Sequence, residues 1–282
     1  MVFNLIILFI IILILFNDNT NIDNFSNTNN KYVCLYAYYE KNDVYKENLI
    51  YFLNNGILDH VDYYIIINGD STVDIPIRNN IKIIKRENKG FDFGAWSHCI
   101  HNYIKKQYDY YIFINTSVKG PYLTEEDKQN NITWLDKFLV LFNNKDIKMV
   151  GTNIIILNLN YYNSLYNTIY NYTQIFNDND NDIYNKYLTH IQSMFFILDN
   201  EGLNYLLSQN FFNEDKINNY NDIQDVVINC ELRLSQLILK NNWNINCIYP
   251  LYKNIDYRKQ TEFISHEIPF ENEILIFPKN KE

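Results

Sequence analysis

The sequence predicts an α/β protein built on a mainly parallel sheet flanked by helices. Three observations lead there. Short apolar runs alternate with stretches of helical periodicity in the order β-α-β…β-α-β. The runs are apolar throughout rather than at every second position, as in strands buried on both faces. Several end abruptly in polar or glycine-bearing segments, and in such sheets ligands bind just beyond the carboxyl ends of the strands.

The elements follow in order. The run YVCLYAYY, Tyr32 to Tyr39, reads as a first strand. Glu47 to Leu58 carries Leu49, Ile50, Phe52, Leu53 and Ile57 at helical spacing. Val61 to Asn68 is a second strand and Ile81 to Lys85 a third, which feeds a loop over Asn88 to Trp96. Trp96 to Lys106 reads as a helix and Tyr110 to Ile114 as a fourth strand. In the second half, Leu135 to Phe142 is helical and Lys148 to Leu157 a strand. Asn158 to Asn185, rich in Asn, Asp and Tyr, reads as a surface insertion or lid. Ile191 to Leu198 is a strand, Asn200 to Ser208 and Asp225 to Lys240 are helices, and Asn244 to Ile248 and Glu273 to Phe277 are short strands.

Composition narrows the function. A net charge of -9 argues against a nucleic-acid surface, which needs a basic footprint. The 4 cysteines, Cys34, Cys99, Cys230 and Cys247, form no CxxC pair and read as small buried hydrophobes. Val2 to Phe16 is almost wholly apolar but shorter than the about 17–25 residues of a bilayer span. Residues 1–17 are therefore expected to be a signal anchor, giving a single-pass membrane protein, or a cleaved signal peptide that leads to the secretory pathway lumen, with a buried helix as the remaining alternative. Residues 18–30 are expected to be a flexible Asn-rich linker, and 31–282 the folded domain.

Two segments stand out: Asn88-Lys89-Gly90-Phe91-Asp92-Phe93-Gly94-Ala95-Trp96, and YDYYIFINTSVKGP from Tyr108 to Pro121. Both resemble the signature of GT-A-like glycosyltransferases related to rhamnan synthesis protein F. Weaker matches follow in the expected order: Gln192-Ser193-Met194, Gly202-Leu203, and Glu231…Leu234-Ser235…Trp243-Asn244-Ile245. The resemblance implies a Rossmann-like GT-A domain that moves a sugar from a nucleoside-diphosphate donor to a hydroxyl of a glycan or glycoconjugate. It also implies a divalent cation, Mn²⁺ or Mg²⁺, on an Asp-x-Asp motif after the fourth strand. Here that place reads Asn115-Thr116-Ser117. Neutral oxygens are poor substitutes for carboxylates at such ions, so either Asp92 supplies the charge or no metal is needed. The missing motif leaves a second reading open, a degenerate relative that binds a nucleotide sugar or glycan without turnover.

The candidate donor-binding residues are Tyr38, Tyr39 and Glu40 at the end of the first strand, Asn68, Asn88, Gly90, Asp92, Gly94, Asn115 and Ser117. Asp92 has an alternative as a helix N-cap, and Tyr38 and Tyr39 as core aromatics. Candidates for a catalytic carboxylate are Glu231, Asp225 and Asp222; their alternatives are a solvated helix face and helix-start residues. His266, with Asp92, is a candidate metal ligand, as in GT-A enzymes with a C-terminal histidine. His98, Cys99 and His101 resemble half a metal site without its second half.

Overall fold

The computed structural model describes residues 31–158, 187–220, 222–258 and 275–280. The expected anchor and linker, most of the Asn158–Asn185 insertion, and His266 lie outside these residues. No helix among the described residues is long and apolar enough to cross a membrane.

Seven strands form one sheet in the order β3-β2-β1-β4-β8-β5-β9. They are β1 (Tyr32–Tyr38), β2 (Val61–Asn68), β3 (Ile81–Arg86), β4 (Tyr110–Asn115), β5 (Ile147–Gly151), β8 (Phe195–Asp199) and β9 (Asn244–Cys247). β1 pairs in parallel with β2 and β4, and β2 with β3. β8 alone runs against its neighbours β4 and β5, and β9 is again parallel to β5. A separate two-stranded ladder joins β6 (Ile154–Asn158) to β7 (Tyr187–Ile191). The sheet is thus mostly parallel, as the apolar runs implied.

Alternation along each strand builds two cores. Val33, Leu35 and Ala37 of β1 face one apolar cluster. That cluster takes Phe93, Trp96 and Cys99 from α2 (Phe91–Asn102), Leu203 and Leu206 from α5 (Asn200–Ser208), and Leu234 and Ile238 from α8 (Arg233–Lys240). Cys34, Tyr36 and Tyr38 face the other cluster, with Leu49 and Phe52 of α1 (Asp43–Asn55) and Trp134 and Phe138 of α4 (Trp134–Leu139). A short α3 (Glu125–Gln129) precedes α4. All four cysteines are buried and unbridged. Each fully buried aromatic or aliphatic side chain contributes about 1.5–3 kcal/mol to this arrangement.

Four expectations need correction. Trp96–Lys106 was to be the helix, but α2 begins at Phe91. Gly90, at φ 67°, turns the chain into it, and a Cβ on Gly94 would lie 2.1 Å from the Lys89 carbonyl oxygen. The glycines therefore pack the first helical turn tightly where the sequence reads as loop. Lys148–Leu157 is not one strand but β5 and β6, parted at Thr152-Asn153. Ile191–Leu198 is likewise divided between β7 and β8, parted at Gln192-Ser193-Met194. In both, equally apolar residues flank two or three break residues and belong to different sheets. The described part of the expected last strand, Leu275–Phe277, is not a strand; an isolated bridge, Val118 to Lys279, lies just beyond it.

Candidate active site

The sheet order reverses at β1: β2 and β3 lie to one side, β4 to the other. Such a switch point opens a crevice at the carboxyl ends of the strands. The residues following β1, β2, β3 and β4 share that rim, as does the residue pair leading into the antiparallel β8.

Asp92 lies in the first turn of α2, whose N-cap is Gly90 rather than Asp92. There the aligned peptide dipoles favour its negative charge. Asn115, the last residue of β4, donates from Nδ2 to Asp92 Oδ2 at 2.6 Å. Its Oδ1 accepts from the Ser117 backbone N–H at 2.9 Å and from Ser117 Oγ at 2.5 Å. A backbone N–H can only donate, so it fixes which way the carboxamide points and makes Asp92 the acceptor. The two signature segments thus meet through side chains. Burial chiefly, with the nearby Glu231 charge, outweighs the lowering effect of the Asn115 bond and raises the Asp92 carboxyl to about 6.

Glu231 reaches the same rim from the helical stretch that starts with α7 (Ile223–Val226) and continues into α8. Between them Val227–Leu232 forms a π-helical turn. Such turns insert an extra residue into a helix and re-aim side chains, often at functional sites. Glu231 Oε2 accepts from the Ser193 N–H at 3.2 Å and from Ser193 Oγ. His190 Nε2, buried in β7, stands 3.6 Å from Glu231 Oε1. Burial alone would raise the Glu231 carboxyl; the His190 and Ser193 contacts outweigh it and hold the carboxyl below the usual range. Met194 ties the two halves together, its carbonyl accepting from the Asn115 N–H at 3.1 Å.

The other candidates fall into separate groups. Glu40 accepts from Thr72 N–H (2.7 Å), Thr72 Oγ1 (2.6 Å) and Tyr38 OH (2.8 Å). The Thr72 bonds are the main reason its carboxyl falls to about 2. It clamps the loop after β2 against the end of β1. Tyr39 is exposed and donates its N–H to Thr116 Oγ1 at 3.2 Å. Asn68 accepts from Arg86 Nη1 at 2.8 Å and donates to the Phe91 carbonyl at 3.2 Å. Arg86 also donates to Asn218 Oδ1 at 2.8 Å, on α6 (Glu214–Asn218). Asn88 is exposed. Asp222 caps α7 through the Gln224 N–H at 2.9 Å, and both Asp222 and Asp225 are exposed. Of the three catalytic candidates, Glu231 is the one placed beside Asp92.

His98 and His101 do not converge on a cation. His98 Nδ1 lies 2.7 Å from Glu214 Oε1, and His101 Nε2 2.6 Å from the Phe212 carbonyl oxygen. Among the described residues no group of three or more His, Cys, Asp or Glu side chains is arranged to hold a metal ion.

Sequence reasoning missed His190 and gave Ser193 no role. The usable signal was the motif at Gln192-Ser193-Met194, two positions past His190. Nothing in the sequence marks the π-helical turn that brings Glu231 to it.

A family model described as Rhamnan synthesis protein F matches residues 71–276, a span that contains Arg86, Asp92, Asn115, His190, Ser193 and Glu231. No curated protein matches the chain. Among solved structures, one similar chain is a mannosyltransferase from Pyrobaculum calidifontis, in complex with GDP-Man and Mn²⁺. Its TM-score is 0.40 at 9% identity, over 78% of this chain and 55% of that one. This chain thus spans about half the length of that enzyme. Another is a galactosyltransferase in complex with donor and acceptor sugar analogs, with a TM-score of 0.34 at 10% identity, over 76% of this chain and 72% of that one.

Proposed function

The chain belongs to the rhamnan synthesis protein F family, and from that premise we propose that it transfers a sugar from a nucleoside-diphosphate donor to a hydroxyl of a glycan or glycoconjugate. The observation that carries the reading is the meeting of Asp92, Asn115 and Glu231 at one rim of the sheet. Family membership supports a glycosyl-transfer role; the class of donor and acceptor is our reading of the site.

In this reading Asp92 receives hydroxyl hydrogens of the donor sugar, and Asn115 holds the carboxylate in place. Asn115 and Ser117 are tied to each other and stiffen the β4 tip. Loop N–H groups at the start of α2 favour the negative diphosphate. The acceptor hydroxyl attacks the anomeric carbon, the bond from that carbon to the diphosphate oxygen breaks, and the diphosphate leaves with the electron pair. Glu231, held ionised by Ser193 and His190, takes the acceptor's proton. A divalent cation is compatible with this site: Asp92 is the carboxylate at the rim that would hold it. Such an ion would neutralise charge on the leaving diphosphate. The apolar run Val2 to Phe16 supports placing the enzyme at a membrane.

The test is release of nucleoside diphosphate from a panel of nucleotide sugars, with and without Mn²⁺. Turnover of at least one donor supports the reading. Donor binding without release would favour a binding protein instead.

A further inference from the structure

The two strand breaks that the sequence did not predict lie side by side. Thr152 and Asn153 separate β5 from β6; Gln192, Ser193 and Met194 separate β7 from β8. The ladder between β6 and β7 ends at the pair Ile154–Ile191, so Asn153 and Gln192 are the next facing positions. Gly151 pairs with Phe196, and a Cβ on it would lie 2.3 Å from Ile191 Cγ2. Its bare backbone lets the end of β7 close onto β5.

Four side-chain atoms in this corner are buried without a hydrogen-bond partner among the described residues: Thr152 Oγ1, Asn153 Oδ1, Asn153 Nδ2 and Gln192 Oε1. Thr152 and Asn153 are 0% exposed. Their polar neighbours are satisfied. Ser193 bonds Glu231, Ser235 Oγ accepts from the Ile191 N–H at 3.0 Å, and Gln236 donates to the Thr189 carbonyl at 2.7 Å. Leaving one buried polar group unpaired costs about 1–3 kcal/mol. Three such side chains in one corner ask for a partner beyond the described residues.

The chemistry of that partner follows from the inventory. Thr152 supplies a hydroxyl, Asn153 a carbonyl and an amino group, and Gln192 a carbonyl. No charge is among them. Phosphate calls for cationic or N–H donors and a metal ion for carboxylates. A mixed, neutral set of donors and acceptors complements adjacent sugar hydroxyls, each of which donates and accepts. The corner adjoins Ser193 and Glu231, on the β8–β5 side of the rim, away from the β1–β3 side where Glu40, Asn68 and Arg86 sit.

We propose that Thr152, Asn153 and Gln192 form a subsite for the hydroxyls of a neutral sugar ring, that of the acceptor, next to Glu231. The inference rests on the transferase reading for the word acceptor, while the sugar-binding corner stands on its own observation. The corner is closed in the free protein, so binding parts the two strand breaks, where ladder hydrogen bonding already stops.

The full chain is tested by thermal shift and calorimetry with methyl α-rhamnoside, methyl α-mannoside, methyl β-galactoside and methyl β-glucoside. Nucleotide-sugar hydrolysis by the unmodified protein is measured alongside. The expected result is a shift with at least one glycoside. Asn153→Leu, similar in shape but apolar, should raise the melting temperature of the free protein and weaken that glycoside about tenfold or more. An unpaired polar hole filled by water predicts the opposite, a lower melting temperature with glycoside affinity unchanged, and that result overturns the proposal. If Asn153→Leu does not fold, Gln192→Met decides at a half-buried position: tenfold weaker binding supports the subsite and unchanged binding overturns it. No shift with any of the four glycosides also overturns it. Glycoside binding without nucleotide-sugar hydrolysis sinks the transferase reading and leaves a sugar-binding corner.

Discussion

Replacing Asp92 by Asn should make the free protein more stable and unable to respond to its donor. Burial holds the native carboxyl near 6, against 3.8 for an unburied aspartate. As pH rises from 4 to 6 the unfolded chain loses its proton first and the native state binds more, so stability falls with pH across that window and levels off above about pH 7. The gap corresponds to about 3 kcal/mol at neutral pH, taken as an upper bound because Glu231 titrates in the same field. Asn at this position is a neutral analogue of the protonated acid, and its carbonyl oxygen can still accept from Asn115 Nδ2. Asp92→Asn should therefore gain up to about 3 kcal/mol at pH 7.5, several degrees in melting temperature for a chain of this size, and only about 0.5 kcal/mol at pH 4. Urea unfolding of both proteins at pH 4, 5.5 and 7.5 reads the difference directly. A nucleotide sugar that stabilises the wild type should leave the variant unmoved. A variant less stable than wild type at pH 7.5, or one with the same pH slope between 4 and 7, would refute the account of a strained carboxylate kept for binding.

Three further outcomes follow from the same geometry. Asn115→Asp places a second carboxylate at hydrogen-bond distance from Asp92, so the variant should lose stability between pH 5 and pH 8 while the wild type changes little above pH 7, as measured by thermal melts across that range. Gly94→Ala drives a methyl group against the Lys89 carbonyl oxygen and should cost about 1–3 kcal/mol in chemical denaturation, together with donor binding; an unchanged midpoint would contradict the close packing of the first α2 turn. Ending the chain at Ile274 removes Phe277, stacked on Phe195 with ring centroids 4.5 Å apart, and the Asn280 N–H bond to the Ser117 carbonyl at 2.9 Å. The shortened protein should lose several kcal/mol of stability and show faster hydrogen exchange in the Ser117–Tyr122 loop.

The strands of the first half were legible because burial on both faces leaves an unbroken apolar run, and β2 at Val61–Asn68 matches the expected range residue for residue. The rim was legible in part. Asp92 and Asn115 lie in separate segments, one just beyond β3 and the other at the end of β4, whose tips share one edge, and they hydrogen-bond at 2.6 Å. The breaks within Lys148–Leu157 and Ile191–Leu198 were hidden because the residues on either side, such as Val150 and Ile154, are equally apolar in two different sheets. Periodicity reports burial, not which sheet buries a residue. Glu231 was identifiable as an acid on a helix, yet its position depends on a π-helical turn, a backbone register that side-chain pattern does not encode. His190 was invisible because a single histidine in a strand carries no spacing signal; its role exists only through the contact with Glu231.

The central claim is that the rim holding Asp92, Asn115 and Glu231 performs group transfer, with Glu231 as the proton acceptor. The most direct test is the rate of nucleoside-diphosphate release by wild type and Glu231→Gln, each with its best nucleotide sugar and donor affinity measured in parallel. Removing a general base lowers turnover by about 10²–10⁴-fold, so the variant should bind donor within a few-fold of wild type and release product at least a hundredfold more slowly. Equal rates in the two proteins would contradict the account.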